Sequence, residues 1–482
     1  MKVLFTHSYF LRFDIKQLNT STPYPPLATL FAASLLRENG HEVKVADIQF
    51  AESPTAIERY LDDFKPDVFV IYDDGFNYLT KMCLTNMRHA AFEMQKCAKK
   101  KNIPVVVSSS DATDHISAYC KNGADFIIIG EAEQTLLELV IAIQKKETAK
   151  LIMGIAFLEN DKVIKTPSRN VGRELDELPK PAWDLMDIKP YKNTWLKKHG
   201  YFSLNFVTTR GCPYKCNWCA KPIYGNRYNS HSPEYVVELI KETQSKLGFT
   251  HVWFADDIFG LKPGWLKSFA ELIKKEEIKI KYKIQSRADL LYDDETVKLL
   301  SESGCDVVWM GAESGSQKIL DAMDKGIKIE EIKHSVSLLK KHNIKPALFL
   351  QFGYLNETAE DIKQTIDLVN ELLPYDIGIS VSYPLPGTKF HEKVKEQLKT
   401  KTNWSDSDDL HLMFENTYSP EFYKHLHRFV HYTYRANQAR AMVKEFSLVN
   451  YKRICLWPYY KFRSLMEKNN LKKIEPVATS LF

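Results

Sequence analysis

Short, almost uninterrupted apolar runs alternate with helix-like stretches along residues 1–150. Runs such as Asp67–Tyr72 lack the polar alternation of a half-exposed strand, which indicates strands buried on both faces of a parallel sheet. Gly and Pro residues punctuate the pattern. Five such β-α repeats predict a doubly wound, Rossmann-like parallel sheet that binds ligands at the carboxyl ends of its strands. The predicted strands are Lys2–His7, His41–Asp47, Asp67–Tyr72, Pro104–Ser109 and Ala124–Ile129.

The pattern changes twice more along the chain. Residues 151–200 have no long periodic element and include the Pro-containing segment Leu178–Pro181, so we place a linker there. Residues 201–395 again alternate strand and helix, about six times, which predicts a partial (β/α)6 barrel or a long open sheet. Residues 396–482 have a helical and aromatic pattern and predict a C-terminal helical region. The strands predicted for the second β-α region are Asn205–Thr209, His251–Phe254, Ile280–Ser286, Asp306–Gly311, Lys345–Phe352 and Ile377–Tyr383.

The composition of the 482-residue chain is that of a folded protein, with 44% hydrophobic and 26% charged residues. No apolar stretch approaches the ~20 residues of a transmembrane helix, and the start of the chain resembles no targeting signal, so a cytoplasmic location is expected. A net charge of +5 is small for a nucleic-acid binder. Only residues 435–482 are markedly basic, with ten Lys/Arg against three Glu. A solvated face explains that segment, and contact with anionic lipid or nucleic acid is the alternative.

Three of the eight cysteines are clustered as C-x3-C-x2-C in a loop after a predicted strand: Cys212, Cys216 and Cys219. Three thiolates on one loop can hold three irons of a [4Fe–4S] cluster. No fourth cysteine lies nearby, which leaves one iron open to a non-protein ligand. Zinc is the main alternative, but structural zinc takes four protein ligands. No histidine follows at zinc-finger spacing, because the next one, His231, is twelve residues after the last cysteine.

This motif, with an aromatic residue just before its last cysteine, resembles the radical S-adenosylmethionine (SAM) superfamily over roughly residues 200–390. The resemblance implies that the three cysteines bind the cluster and that the open iron binds the amino and carboxylate groups of SAM. It also implies reductive cleavage of SAM to a 5′-deoxyadenosyl radical. An electron donor such as flavodoxin or ferredoxin is then required.

Segments at the ends of later predicted strands are also similar to this superfamily: Phe254–Asp257, Gln285–Asp289 and Gly311–Gly315. Arg287 suits the SAM carboxylate through bidentate pairing, and Glu313 suits a ribose hydroxyl or the ammonium group. Helix capping by the Asp256–Asp257 pair is an alternative, as is pairing of Arg287 with an acidic neighbour alone. The predicted SAM-contact residues are Trp218, Asp257, Arg287, Glu313 and Ser314.

The N-terminal region resembles the cobalamin-binding branch of the superfamily. The similarity rests on Pro23–Leu27, Gly123–Asp125, Gly130–Glu133 and the linker segment Leu178–Pro181. It implies that the strand-end loops of the first domain enclose the corrin tail. The predicted cobalamin contacts are Ser109, Ser110, Gly130 and Glu131. The implied domains are 1–150, binding cobalamin; 151–200, the linker; 201–395, the radical SAM core; and 396–482, the C-terminal helical region.

Two departures from the branch pattern concern the corrin. The family's Gly-Gly pair after the fourth strand is replaced by Ser108–Ser110, which keeps small residues there. The Asp-x-His-x-x-Gly signature of a histidine bound to cobalt is absent, and Asp114–His115 has the wrong spacing. We therefore expect cobalamin without a histidine ligand, the alternative being a β-α domain with no corrin. Asp73–Tyr78, after the third strand, would contact corrin or substrate, or would form a helix N-cap loop.

These resemblances imply a cobalamin-dependent radical SAM enzyme that methylates an unactivated carbon of a small molecule. The alternative is a cyclase or rearrangement enzyme without methyl transfer, as in the anaerobic porphyrin ester cyclase branch. A methylthiotransferase would need further cluster cysteines, and Cys83, Cys97 and Cys120 lack cluster spacing. A non-catalytic cobalamin sensor is less favoured because it has no use for a cluster with an open iron. No nucleic-acid partner is expected, and the motifs do not identify the substrate.

Overall fold

The computed structural model describes residues 1–221, 223–398, 401–443 and 451–475. The chain divides into two compact units. The first unit contains Met1–Pro213, Lys221–Tyr282 and Asn403–Asp409, and the second contains Tyr214–Ala220, Lys283–Thr402 and Leu410–Phe482. These units are not delimited as the predicted domains are, so the domain ranges stay a prediction.

The first sheet has the strand order β2-β1-β3-β4-β5-β6-β7. Strands β1 to β5 are parallel, as predicted, with Phe5 facing Val45 on one side and Val70 on the other. This order reverses between β1 and β3, which is where doubly wound sheets bind ligands. The strands are β1 (Lys2–Thr6), β2 (Glu42–Val45), β3 (Val68–Tyr72), β4 (Val105–Ser108), β5 (Phe126–Ile128), β6 (Ile155–Glu159) and β7 (Lys162–Lys165).

The first sheet also contains two strands that were not predicted from the sequence. Strands β6 and β7 are antiparallel and form a hairpin within the predicted linker. Both turn residues, Asn160 and Asp161, have positive φ (50° and 60°), as a tight hairpin turn requires. Ile155 and Ala156 are fully buried beside β5. The hairpin was missed because its strands are too short to show a periodic pattern.

The strands predicted for the second β-α region are all present, with ends shifted by up to three residues. In the first unit β8 pairs with β11 in parallel, and Arg210 of β9 faces Asn229 of β10. In the second unit β14 lies between β13 and β15, parallel to both. The unit boundary falls within β12. The strands are β8 (Ser203–Phe206), β9 (Thr209–Arg210), β10 (Asn229–Ser230), β11 (His251–Phe254), β12 (Lys281–Ser286), β13 (Cys305–Glu313), β14 (Lys345–Phe352) and β15 (Asp376–Val381).

Helices connect the strands of the first unit, and an apolar core lies between the first sheet and α3, α5 and α7. Helix α9 lies in the predicted linker. The helices are α1 (Ile15–Thr20), α2 (Leu27–Glu38), α3 (Ile57–Phe64), α4 (Tyr78–Lys81), α5 (Thr85–Lys99), α6 (Ser110–Asp114), α7 (Ile116–Lys121), α8 (Glu133–Lys145), α9 (Lys189–His199), α10 (Pro233–Leu247) and α11 (Trp265–Lys275).

Helices also dominate the second unit, including the C-terminal region. Residues 399–400, 444–450 and 476–482 of the predicted helical region lie outside the described residues. No described helix combines the length and the apolar character needed to span a bilayer. The helices are α12 (Asp294–Glu302), α13 (Gln317–Ala322), α14 (Ile329–Lys341), α15 (Ala359–Leu372), α16 (Lys389–Val394), α17 (Pro420–Met442), α18 (Tyr451–Cys455) and α19 (Trp457–Ile474).

Candidate functional site

The predicted site residues are distributed over both units. Those in the first unit are Ser109, Ser110, Gly130, Glu131, Cys212 and Asp257. Those in the second unit are Cys216, Trp218, Cys219, Arg287, Glu313 and Ser314.

Asp256, at the end of β11, fixes the entry to the cysteine loop. Its carboxylate accepts hydrogen bonds from the backbone N–H groups of Thr208 (2.7 Å) and Thr209 (2.8 Å) and from the Thr208 hydroxyl (2.7 Å). Burial raises the pKa of Asp256 to about 6 in spite of these donors. The alternative of a helix cap was wrong for Asp256, because α11 begins only after Gly264.

Gly211 precedes the first cysteine and has a φ of +83°. A Cβ atom at this position would overlap the carbonyl oxygen of Arg227. Only glycine meets both demands without a shift of the backbone. The backbone just before Cys212 is therefore held close to the segment that leads into β10.

Arg210 is 1% exposed and lies between two carboxylates of the loop after β5. Its Nη1 atom pairs with Glu131, and its Nη2 atom donates to Glu133 Oε1 at 2.7 Å. The guanidinium carbon also lies 5.7 Å and 5.4 Å from the ring centroids of Phe76 and Tyr224. Arg210, a fully buried cation two residues before Cys212, is thus bonded to the predicted corrin loop that contains Glu131. Sequence reasoning missed this role of Arg210, although both of its partners lie in a segment quoted for the resemblance.

Glu131 is bonded to protein groups through both carboxylate oxygens. Besides the Arg210 contact, its Oε2 atom accepts from the backbone N–H of Gly172 at 2.5 Å. Burial raises the pKa of Glu131, and the Arg210 charge opposes that effect. Both carboxylate oxygens of Glu131 thus contact protein groups. Its predicted contact with cobalamin stays a prediction.

The remaining predicted corrin loops combine small side chains with unusual backbone. Ser109 is buried and caps α6, its hydroxyl accepting from Ala112 N at 2.9 Å, and Ser110 is buried beside it. Gly130 has a φ of +82°, and the nearest atom to a Cβ built there would be the Ile223 carbonyl oxygen at 3.7 Å. Small residues at the ends of β4 and β5 suit the close approach of a corrin tail. These residues therefore fit the predicted group.

The aspartates after β3 are used within the first unit. Asp73 accepts from the backbone N–H (2.7 Å) and hydroxyl (2.9 Å) of Ser8, which bridges the ends of β1 and β3. Asp74 accepts from Leu27 N at 3.2 Å, and burial raises its pKa to about 6. Asn77 caps α4 through Leu79 N. The helix N-cap loop, one of the two alternatives for this segment, is therefore present.

Asp257 forms an ion pair with Lys81 of α4 (Oδ1–Nζ 2.8 Å), with a third of its side chain exposed. It caps no helix, because α11 begins after Gly264. Contact of Asp257 with SAM stays a prediction.

Asn217 anchors the cysteine loop of the second unit. Its side-chain N–H donates to the Ala322 carbonyl (2.7 Å), and its Oδ1 atom accepts from the Tyr354 hydroxyl (2.8 Å). Its backbone N–H donates to the Met323 carbonyl (3.0 Å). The role of Asn217 was not predicted from the sequence. The structure shows it by the burial of this polar side chain, which is 4% exposed.

Arg287 lies against the same loop. Its guanidinium carbon is 3.7 Å from the centroid of the Tyr214 ring, and its Nη1 atom is 3.9 Å from Cys216 Sγ. Its Nε atom donates to Asp289 (2.9 Å) and its Nη2 atom to the Lys325 carbonyl (2.9 Å). The expected alternative, pairing with the nearby aspartate, is thus present. The same geometry places a cation beside a predicted cluster ligand.

Glu313 ends β13 with a φ of +60° and pairs with Lys325 (Oε1–Nζ 2.8 Å). The two side chains are only 6% and 7% exposed. Gly311 makes room for them, because a Cβ atom there would lie 2.6 Å from each charged group. Ser314 hydrogen-bonds to Thr365 of α15 through its hydroxyl (3.0 Å). The sequence analysis did not identify Lys325 as the partner of Glu313.

Trp218 is half-buried, and its Nε1 atom is buried with no hydrogen-bond partner in the part of the chain that the structure describes. Burying an N–H without a partner costs about 1–3 kcal/mol. Trp218 lies between Cys216 and Cys219 in the sequence, so its Nε1–H is available to donate to an acceptor atom of a bound cofactor.

Cys212, Cys216 and Cys219 form no disulfide. Over the described ranges, no group of three or more His, Cys, Asp or Glu side chains is arranged to hold a single metal ion. A [4Fe–4S] cluster makes a different demand, because each thiolate binds a separate iron of the cube. Three cysteines on one loop suit this demand.

Comparison with known proteins identifies the second β-α region. The Radical SAM superfamily model matches residues 206–369. An uncharacterized methyltransferase of Pyrococcus horikoshii is 29% identical over 391 residues, which are 80% of this chain and 81% of that protein. The anaerobic magnesium-protoporphyrin IX monomethyl ester cyclase of Rubrivivax gelatinosus is 24% identical over 83% of this chain and 71% of its own.

A solved structure shares the fold across most of the chain. The radical SAM methyltransferase TsrM of Kitasatospora setae, solved with cobalamin and a [4Fe–4S] cluster, superposes with a TM-score of 0.67 at 19% identity. The match covers 82% of this chain and 78% of TsrM. The chain is therefore an enzyme with a radical SAM domain, and its sequence relatives include an uncharacterized methyltransferase and an anaerobic porphyrin ester cyclase.

Proposed function

We propose that this enzyme uses a [4Fe–4S] cluster, SAM and cobalamin to methylate an unactivated carbon of a small-molecule substrate. The observation that carries the proposal is the C-x3-C-x2-C triad, at a strand end inside the radical SAM match over residues 206–369. The methyltransferase relative, similar over 80% of this chain, supports methyl transfer as the outcome.

The cluster and SAM would be held by the residues predicted for them. Cys212, Cys216 and Cys219 would bind the cluster, which when bound supplies the electron that cleaves SAM to the 5′-deoxyadenosyl radical. The Arg287 cation, 3.9 Å from Cys216 Sγ, would offset the negative charge of the thiolates. Glu313 would exchange Lys325 for the SAM ammonium or a ribose hydroxyl. The further SAM contacts that we propose are Trp218, Asp257 and Ser314.

Cobalamin would bind at the strand ends of residues 1–150, against Ser109, Ser110 and Gly130, and would supply the methyl group. We assign no histidine to cobalt. Glu131, whose two carboxylate oxygens also bond Arg210 and Gly172 N, is the further cobalamin contact that we propose. The predicted domain ranges belong to the same proposal, as do a cytoplasmic location and flavodoxin or ferredoxin as electron donor.

The cluster assignment is tested by a Cys212→Ala/Cys216→Ala/Cys219→Ala variant after anaerobic reconstitution. Iron and sulfide should fall to near zero, since no thiolate of the motif remains to bind the cluster. Cys455→Ala, at an exposed cysteine outside the motif, is the control and should keep both. Retention of four irons and of SAM cleavage by the triple variant would refute the proposal. Wild-type protein without iron or sulfide would instead favour a cobalamin sensor.

Cyclisation or rearrangement without methyl transfer is the second candidate, favoured by the similarity to the Rubrivivax gelatinosus cyclase. SAM with a deuterated methyl group, incubated with the reduced enzyme and cell extract, separates the two. A product that carries the label supports methylation. An unlabelled product formed together with 5′-deoxyadenosine supports cyclisation.

A further inference from the structure

Helix α19 turns two polar side chains inward and several large apolar side chains outward. On its inner face Ser464 and Glu467 are 7% and 4% exposed. On its outer face Phe462, Leu465 and Met466 are 62%, 47% and 45% exposed. A helix on a protein surface normally turns its apolar residues inward and its polar residues to water.

Polar contacts with α17 hold α19 in this orientation. Ser464 Oγ lies 2.7 Å from the hydroxyl of Thr433, and Glu467 Oε2 lies 2.6 Å from His425 Nδ1. The guanidinium carbon of Arg463 lies 4.9 Å from the ring centroid of Tyr432. The helix cannot turn its apolar residues inward without breaking these contacts. The exposure of the outer face is therefore built into the packing.

The exposed apolar residues form a continuous stripe. Tyr459, Phe462 and Met466 follow one another at helical spacing on one face, and Leu465 lies beside them. We call Tyr459, Phe462, Leu465 and Met466 the α19 stripe.

Basic residues accompany the stripe. Residues 451–475 contain seven Lys/Arg against two Glu, and Arg453, Lys461 and Lys473 are exposed. Aromatic and aliphatic residues combined with lysines are typical of helices that lie in the interface of a bilayer. Protein–protein interfaces, by contrast, are depleted in lysine. The charge complementarity therefore favours an anionic lipid surface over a second protein.

We propose that α19 docks the enzyme on a bilayer that contains anionic lipids. The α19 stripe enters the boundary between headgroups and acyl chains, and the lysines face the lipid phosphates. This surface is independent of the proposed methyl transfer and needs none of its cofactors.

The test uses the full-length protein and sedimentation with two kinds of vesicle. Phosphatidylcholine vesicles that contain phosphatidylglycerol should bind the protein, and pure phosphatidylcholine vesicles should bind it weakly. Added salt should weaken the binding, because salt screens exposed charges. Phe462→Ser/Met466→Ser should lower partitioning about tenfold or more, as it removes two exposed apolar side chains. Lys461→Gln/Lys473→Gln should lower it to a similar degree on the anionic vesicles alone.

The control variant is Leu151→Ser/Tyr292→Ser, which replaces apolar residues that are 86% and 55% exposed outside α19. It should bind as the wild type does. Failure of the wild type to bind anionic vesicles would overturn the proposal, as would binding that both α19 variants leave intact. A dimer in solution that Phe462→Ser/Met466→Ser dissociates would assign the stripe to a second copy instead.

Discussion

The two units each bury an acid–base network at the ends of parallel strands, but the networks differ in the number of partners. In the first unit Arg210 is shared by Glu131 and Glu133, and Glu131 has a second bond to Gly172 N. In the second unit Glu313 pairs with a single lysine, Lys325. A guanidinium held on two sides is fixed, whereas an ammonium on a flexible stem can move away. We infer that the first network is a clamp and that the second is an exchangeable site.

The largest expected effect is on the clamp. Arg210→Met should lower the free energy of unfolding by about 3–5 kcal/mol, because it leaves two carboxylates buried without their cation. Denaturant titration of the full chain measures this. Arg37→Met, which breaks an exposed pair with Asp184, is the control and should cost less than about 1 kcal/mol. Equal losses in the two variants would mean that Arg210 is no clamp.

The exchangeable site should respond in ligand binding. Glu313→Gln should weaken SAM binding about 10–100-fold, because a hydrogen bond to a charged group contributes ~1.5–3 kcal/mol. Lys325→Met removes the internal partner and should leave SAM affinity equal or higher. Equilibrium dialysis with reconstituted protein measures both, with the exposed Glu302→Gln of α12 as the control. A loss of SAM binding in Lys325→Met that matches that of Glu313→Gln would make the pair structural.

Glu357 extends the comparison to a fully buried carboxyl whose Oε1 atom has no hydrogen-bond partner among the described residues. Burial raises its pKa from 4.5 to about 8, although its Oε2 atom accepts from Gly353 N. The folded state then binds more protons than the unfolded state between these values, so stability falls as the pH rises through that window.

Glu357→Gln should remove this pH dependence. Between pH 6 and pH 7.5 the wild type should lose about 1–2 kcal/mol more stability than the variant, since one pKa unit corresponds to ~1.4 kcal/mol. Urea titrations at the two pH values measure the difference. Parallel stability curves for both proteins would show that Glu357 is ionised in the folded state.

The smallest expected effect concerns cobalt. His115 lies in the first unit with Nε2 3.7 Å from Asp111, and burial lowers its pKa. Because the cobalt-ligand signature is absent, His115→Ala should leave the Co(II) spectrum of bound cobalamin unchanged. Nitrogen hyperfine coupling that disappears in His115→Ala would identify a histidine ligand. No uptake of cobalamin would leave the first domain as a scaffold.

Local pattern and the family resemblance were sufficient for the parallel strands of both β-α regions and for the cysteine motif, but not for the β6–β7 hairpin. Strand β11, for example, begins and ends at the predicted residues, His251 and Phe254. The partners of buried charges were not predictable in this way. Arg210 and Glu131 are 79 positions apart, and no periodicity or spacing reports a pair that only the tertiary fold creates. The role of Lys325 was missed for the same reason: twelve residues and a helix separate it from Glu313.

The β6–β7 hairpin has a consequence for the solubility of folding intermediates and of the native sheet. Without it, the apolar strand Phe126–Ile128 would lie at the sheet edge with unpaired backbone groups, a template for another chain. With it, the edge is β7, a four-residue strand that begins and ends in lysine, at Lys162 and Lys165. Short, charged edges disfavour strand addition because pairing would bring like charges together. The hairpin therefore protects the first sheet against edge-to-edge aggregation.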